Sequence, residues 1–141
     1  MKIPLEFDDE ERLSVVASVK FSGKSPIPVV FIIDTGSPVT FVDEFVSSKV
    51  RIYARNLHFD HDALMGGSKI AMHNAGAVEF SFINDKETLT KVTSDLLVAK
   101  TEWTRKGKVY SGTSIIGLDF FMKNKAKLFM DPHGNIAYID L

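Results

Sequence analysis

Leu13 to Phe21 reads Leu-Ser-Val-Val-Ala-Ser-Val-Lys-Phe, a run in which apolar and polar positions roughly alternate and β-branched residues are frequent. That period of two predicts a strand with one face on a core. Ser22-Gly23-Lys24-Ser25 reads as a turn, and Pro26-Ile27-Pro28 restarts the chain. Val29 to Ile33 is wholly apolar, which predicts a short strand buried on both faces and paired with the first in a hairpin. Past Ser37-Pro38 the period changes. Asp43 to Val50 predicts a short helix opened by acidic residues. The stretch to about Asn74 is polar with scattered apolar residues and Gly66-Gly67. Ala77–Ile83 and Thr88–Ala99 predict two strands around an Asn84-Asp85-Lys86 turn. Trp103 to Gly112 reads as a charged loop. Ser114-Ile115-Ile116-Gly117 predicts a second short apolar strand, and Leu118–Lys125 a helix. Ala126–Asp131 and Ile136–Asp140 predict a last hairpin around Pro132-His133-Gly134-Asn135. No repeat or linker interrupts this order. It describes an all-β barrel or sandwich with one or two short helices.

The 141 residues suit a single domain over 1–141, and a chain of that length buries roughly two thirds of its unfolded surface without staples. Seventeen basic against eighteen acidic side chains give a net charge of −1. That balance argues against a general nucleic-acid binder. The absence of cysteine removes disulfide scaffolds, thiol nucleophiles and Cys-type zinc sites. No run approaches the ~18 apolar residues of a membrane span. The acidic start, Met1 to Glu11, lacks the apolar region of a signal peptide, so a cytoplasmic protein without membrane contact is expected.

Several short patterns carry less than they first suggest. Gly23-Lys24-Ser25 imitates the end of a phosphate loop, but Ser18 stands where that motif needs glycine and Pro26 blocks the following helix. His58 and His61, with Asp60 and Asp62, have a ligand-like spacing, yet no helical period surrounds them and a solvated loop without metal is expected. Arg105, Lys106 and Lys108 beside Trp103 imitate a nucleic-acid contact, but the cluster is short and the chain is not basic.

Asp34-Thr35-Gly36-Ser37 is different. An apolar strand delivers a carboxylate to its end, and a glycine turn follows at once. By itself this is also an ordinary way to end a strand. The second half of the chain adds Ile115-Ile116-Gly117-Leu118-Asp119-Phe120-Phe121. Together these motifs, over about residues 12–141, resemble the retropepsin-like aspartic proteases, single-domain relatives of pepsin. The resemblance implies a retropepsin-like barrel in which the apolar-apolar-Gly strand threads past the acid loop into a short helix. It also implies a glycine-rich flap, here Ala63 to Ile70. Retroviral members carry a charged pair at positions that here are Pro38 and Leu118, so the sequence is more similar to the cellular or prokaryotic branch.

By that resemblance Asp34 is the catalytic acid and base, and Thr35 locks two loops across a dimer axis. Gly36 meets the substrate backbone, and Ser37 donates to the Asp34 carboxylate. Ile32, Thr113 and Ile115 line apolar side-chain pockets, with Met65, Gly66 and Gly67 at the flap. The chemistry needs two carboxyl groups and the chain has one such motif, so the expectation is a homodimer that cleaves an extended polypeptide without a cofactor. The rival is a dimeric peptide-binding or structural module on the same fold. A ligand-binding barrel of lipocalin type explains the strands but neither motif.

Overall fold

The computed structural model describes residues 1–65, 67–101 and 112–141. Trp103, Arg105, Lys106, Lys108 and Gly66, expected at a flap, therefore lie outside the described residues. Near the N-terminus run β1 (Lys2–Pro4), β2 (Glu6–Phe7), β3 (Leu13–Lys20), β4 (Ile27–Ile33) and β5 (Phe41–Asp43). Helix α1 (Glu44–Ser47) and two 3-10 turns follow, then β6 (His58–Met65), β7 (Ser68–Ile83) and β8 (Leu89–Ala99). The chain ends with β9 (Ser114–Ile116), α2 (Leu118–Asn124), β10 (Lys127–Asp131) and β11 (Ile136–Asp140).

The alternation read in β3 is obeyed. Leu13, Val15, Ala17 and Val19 are buried while Val16 and Lys20 face solvent. β3 and β4 form the expected antiparallel hairpin. Eight strands share one sheet in the order β2-β3-β4-β9-β5-β8-β7-β6, and an added β3–β7 pairing closes it into a barrel. The closure depends on the length of β7. A bulge between Asn74 and Ala77, with Gly76 at φ +74° donating to Asn74 Oδ1 at 2.7 Å, bends this strand. The first half then pairs with β6 and, at Met72–Asn74, also with β8, while the second half pairs with β8 and β3. The polar stretch before Asn74 hid this arm, because its outer face is solvated.

β4 departs from the two-face burial that its apolar run predicts. Val29 and Phe31 are buried, but Val30 is 61% exposed and its cross-strand neighbour Val16 59%. Among the described residues no layer covers the outer face of the hairpin, so there the strand is apolar on both sides while only one side is packed.

The core is aromatic. Phe120 of α2 stands edge-on to Phe80 at 5.6 Å and to Phe82 at 6.0 Å, and Phe80 contacts Phe31 of β4 at 5.7 Å. Each fully buried Phe contributes roughly 1.5–3 kcal/mol of transfer free energy. This cluster anchors α2 and β4 in one body, three residues from Asp34 and three from Gly117. A second, three-stranded sheet, β1-β11-β10, carries Ile3 and Ile139 into the same core. The first seven residues thus pair and pack, although their short strands left no periodic signal. Among the described residues no helix is long and apolar enough to cross a membrane.

Candidate active site

Period two along β4 places Val30, Ile32 and Asp34 on the outer face. Asp34 still donates its amide to Ile116 O of β9 at 3.0 Å, and the strand ends there because the chain then turns, with Ser37 N donating to Asp34 O at 3.0 Å. The turn bends the carboxylate back over its own loop, and Oδ1 accepts the Gly36 N–H at 2.9 Å. Asp34, Thr35 and Gly36 are all exposed.

β9 lies parallel to β4, pairing Ile32 with Ile115 and Ile33 with Ile116. Gly117 follows and passes under the loop. A Cβ built on it would lie 2.2 Å from Val39 O and 2.7 Å from Ser37 O, so only glycine fits. Leu118 N donates to Ser37 O at 2.8 Å, and Gly117 N to the fully buried Thr40 Oγ1 at 3.0 Å. Thr40 Oγ1 in turn donates to Asp119 Oδ1 at 2.6 Å, and the same oxygen accepts the Phe120 amide at 2.8 Å. Loop, strand and helix are thereby one hydrogen-bonded unit. The expectation for Ser37 is corrected. Its hydroxyl donates to Val39 O at 2.8 Å, not to the Asp34 carboxylate, because the turn aims it along the backbone.

The apolar residues expected at the site fall into two groups. Met65 and Ile115 belong to one cluster with Val39, Ile70, Phe41 and Met72, formed where the inner face of the β6–β7 hairpin meets β5, β8 and β9. Ile32 and Thr113 belong to the other, lining a groove of about 390 Å³ with Val30, Ser14, Asp8 and Arg12. Within that lining Arg12 Nε donates to Asp8 Oδ2 at 2.9 Å. Hydrogen bonds from the Arg12 amide and guanidinium hold the Asp8 carboxyl below its ordinary pKa. Gly67 turns the hairpin at φ +81°, in open space.

In overall architecture the chain matches the retropepsin-like aspartic protease from Rickettsia conorii, at TM-score 0.60 over 99% of this chain and 89% of that one, with 14% identity. It also matches EIAV protease complexed with the inhibitor HBY-793, at TM-score 0.55 over 88% of this chain and 98% of that one, again with 14% identity. The chain has the retropepsin-like fold. No family model matches the sequence, and no curated protein matches it.

Within the retropepsin-like fold several side chains near the site had no local signal. Thr40 and Asp119 are 79 positions apart, so no spacing rule joins them. Asp43 caps α1 by accepting the Phe45 amide, and it also accepts the Thr101 hydroxyl at 3.3 Å while its own amide donates to Ser114 Oγ. Its side chain is buried, and the loss of solvation raises its pKa. The acidic start of that helix was the one legible hint. The two histidines considered as ligands lie on β6, where a bulge follows Phe59, and His61 Nδ1 sits 2.6 Å from Asp60 Oδ2. Among the described residues no group of three or more His, Asp or Glu side chains is placed to hold a metal ion.

Proposed function

We propose that this chain is an aspartic endopeptidase, active as a homodimer, which hydrolyses peptide bonds of extended polypeptides. The observation that carries the reading is the placing of Asp34. It is an exposed carboxylate at the end of the apolar strand β4, on a loop braced from beneath by Gly117, Thr40 and Asp119. Such bracing holds a reactive group in one geometry.

One carboxyl cannot be both acid and base at the same moment. A second copy of the loop, brought to a two-fold axis, supplies the other. Two carboxyls in one small site share a single proton. The ionised member takes a proton from water as the water oxygen bonds to the peptide carbonyl carbon. The protonated member donates to the carbonyl oxygen. The tetrahedral adduct then collapses: the carboxyl that took the water proton gives it to the nitrogen, the other carboxyl takes a proton back from a hydroxyl of the adduct as the carbonyl re-forms, and the C–N bond breaks. Thr35, exposed in the single chain, is assigned to the contact between the two loops. Gly36 is assigned to the substrate backbone, and Ser37 to holding the turn through Val39 O. Ile32, Thr113 and Ile115 are assigned to receiving apolar side chains, and Met65 and Gly67, with Gly66 between them in sequence, to contact with the substrate from the other side.

The test is cleavage of an unfolded polypeptide, followed by mass spectrometry, for the wild type and Asp34→Asn. The expected loss is roughly 10²–10⁴-fold with unchanged melting. Equal rates overturn the assignment. Binding of extended peptides without cleavage by either protein points to the non-proteolytic module.

A further inference from the structure

Glu44, Phe45 and Ser48 at α1, Tyr53 and Arg55 in the turns that follow, and Thr101 just past β8 line a pocket of about 210 Å³. None of these residues belongs to the Asp34 loop. The walls are aromatic, with Phe45 46% exposed, and the charge around them is positive. The Arg55 guanidinium lies over the Tyr53 ring at 4.7 Å, and Lys49 Nζ over the Phe45 ring at 5.8 Å. Each cation is thereby held against a ring face. Neither has an ion pair among the described residues, and exposed Arg51 between them in sequence has none either.

The acids of this stretch are tied to the backbone. Glu44 Oε2 accepts the Ala54 amide at 2.6 Å and Oε1 the Thr101 amide at 3.1 Å. Asp43 is buried and accepts the Phe45 amide and the Thr101 hydroxyl. The Ser48 hydroxyl donates to Phe45 O at 2.8 Å. The charges left facing outward are the cations, in a chain whose net charge is −1.

The patch continues the cleft. Lys49 and Val46 also line the groove of about 390 Å³ that holds Ile32 and Thr113. Its direction follows from the strands. β9 runs parallel to β4, so Gly112 and Thr113 lie beside the earlier residues of β4, and the Asp43 amide meets Ser114 Oγ at 3.4 Å, which sets α1 at that end. From Asp34 back to Pro28 of the same lining is about 20 Å at ~3.3 Å per residue. An extended peptide whose scissile bond lies at Asp34 therefore reaches Lys49 about five or six residues away, with the Phe45 pocket beside it.

We propose that Lys49 and Arg55, with Phe45 and Tyr53, form an accessory docking site for an acidic stretch of the substrate polypeptide, set about five or six residues from the bond that is cut. Carboxylates of the stretch pair with the two cations, and its apolar parts lie on the two rings. The inference rests on the protease reading for its link to cleavage and names a substrate class, polypeptides with an acidic stretch beside an apolar cleavage site. A nucleic acid fits less well, because the patch is small, the chain is not basic, and the groove leading to it is walled by Val30 and Ile32.

The experiment uses three labelled peptides with one apolar centre, ended on both sides by three glutamates, three glutamines or three lysines, since a two-fold site offers one patch to each end. Binding is read by fluorescence anisotropy and cleavage by mass spectrometry, for wild type, Lys49→Glu, Arg55→Glu and the double variant, with circular dichroism to verify folding. Wild type should bind the glutamate peptide about three- to tenfold more tightly than the glutamine peptide. At ~0.5 M salt the preference should vanish. Each single variant should weaken it, and the double variant should favour the lysine peptide, a reversal that a folding fault does not produce. Where cleavage occurs, the preference should lie in KM with kcat unchanged. Equal binding of the three peptides by wild type overturns the docking site, and so does a double variant that still prefers glutamate. Tighter binding of a single-stranded oligonucleotide than of the glutamate peptide, lost in the double variant, overturns it in favour of nucleic acid. Charge-dependent binding without cleavage keeps the docking site and removes the protease reading, whereas cleavage without charge preference does the reverse.

Discussion

Gly117→Ala is the sharpest test of how the Asp34 loop is held. Gly117 has φ −100° and ψ −173°, an extended conformation open to any residue, so alanine brings no backbone strain. The effect is one of space alone. The new methyl carbon would lie 2.2 Å from Val39 O, 2.7 Å from Ser37 O and 2.7 Å from Val39 C, all of them backbone atoms that cannot rotate away. Ordinary contact requires more than an ångström of retreat. That retreat lengthens the two hydrogen bonds that cross the gap, Leu118 N to Ser37 O and Gly117 N to Thr40 Oγ1. Overpacking and the weakened bonds together should cost about 2–4 kcal/mol. A domain of this size has about 5–15 kcal/mol in all. The urea midpoint should therefore fall by about 1–2 M with the slope unchanged. Gly36→Ala is the matched control. Its Cβ would meet only the carboxylate Asp34 Oδ1, at 3.1 Å, a side-chain end free to turn. It should unfold within about 1 kcal/mol of wild type while losing cleavage. If Gly117→Ala unfolds with the wild-type midpoint, β9 does not pass beneath the loop as described.

Thr40→Val keeps the shape but strips the Gly117 amide of its acceptor and Asp119 of its donor, which should cost about 1–3 kcal/mol in equilibrium unfolding. Unchanged stability would remove Thr40 from the brace. Ser37→Ala should lower stability by about 0.5–1.5 kcal/mol and leave the pH dependence of cleavage where it was, since the hydroxyl serves Val39 O. A displaced profile would restore a direct bond to Asp34. Burial raises the pKa of Asp43 in the folded state above its unfolded value, so the folded state binds the extra proton and wild type gains stability as pH falls through that raised pKa toward the ordinary aspartate range. Asp43→Asn should lose this increment, so the stability difference between the two proteins should change on acidification, whereas parallel curves would contradict the buried charge.

What could be read from the sequence is what local chemistry controls. The period of two in β3, the turns at Gly23 and Asn84, the acidic opening of α1 and the two apolar strands ending in Asp34 and Gly117 all have near-neighbour causes. The meeting of those two motifs was legible only through a resemblance, since no spacing rule brings residues so far apart into one loop. Val30 shows the limit. An apolar run reports that a strand has no polar side, and it cannot report whether the second side meets its own chain. Ser37 shows another. Its hydroxyl had two candidate acceptors, the nearby carboxylate and the turn backbone, and the turn geometry, absent from the sequence, chose Val39 O. β1 and β2 were missed because strands of two or three residues have no period to detect, and they owe their form to β11 and β3.

The parallel pairing of β4 with β9 has a consequence in time. Parallel strands cannot be joined by a tight turn, and closing so long a stretch of chain costs entropy before any contact is gained. The loop that carries Asp34 leaves the ribosome early, but the glycine, threonine–aspartate link and helix that shape it include residues from 117 to 120. At a synthesis rate of roughly 5–20 residues per second, the carboxylate waits several seconds for its supports. During that interval the apolar β4 is emerged but unpaired on the β9 side. A nascent chain of this design therefore keeps its Asp34 loop unbraced until it is nearly complete, and its bare β4 edge is most prone to aggregate in the same interval.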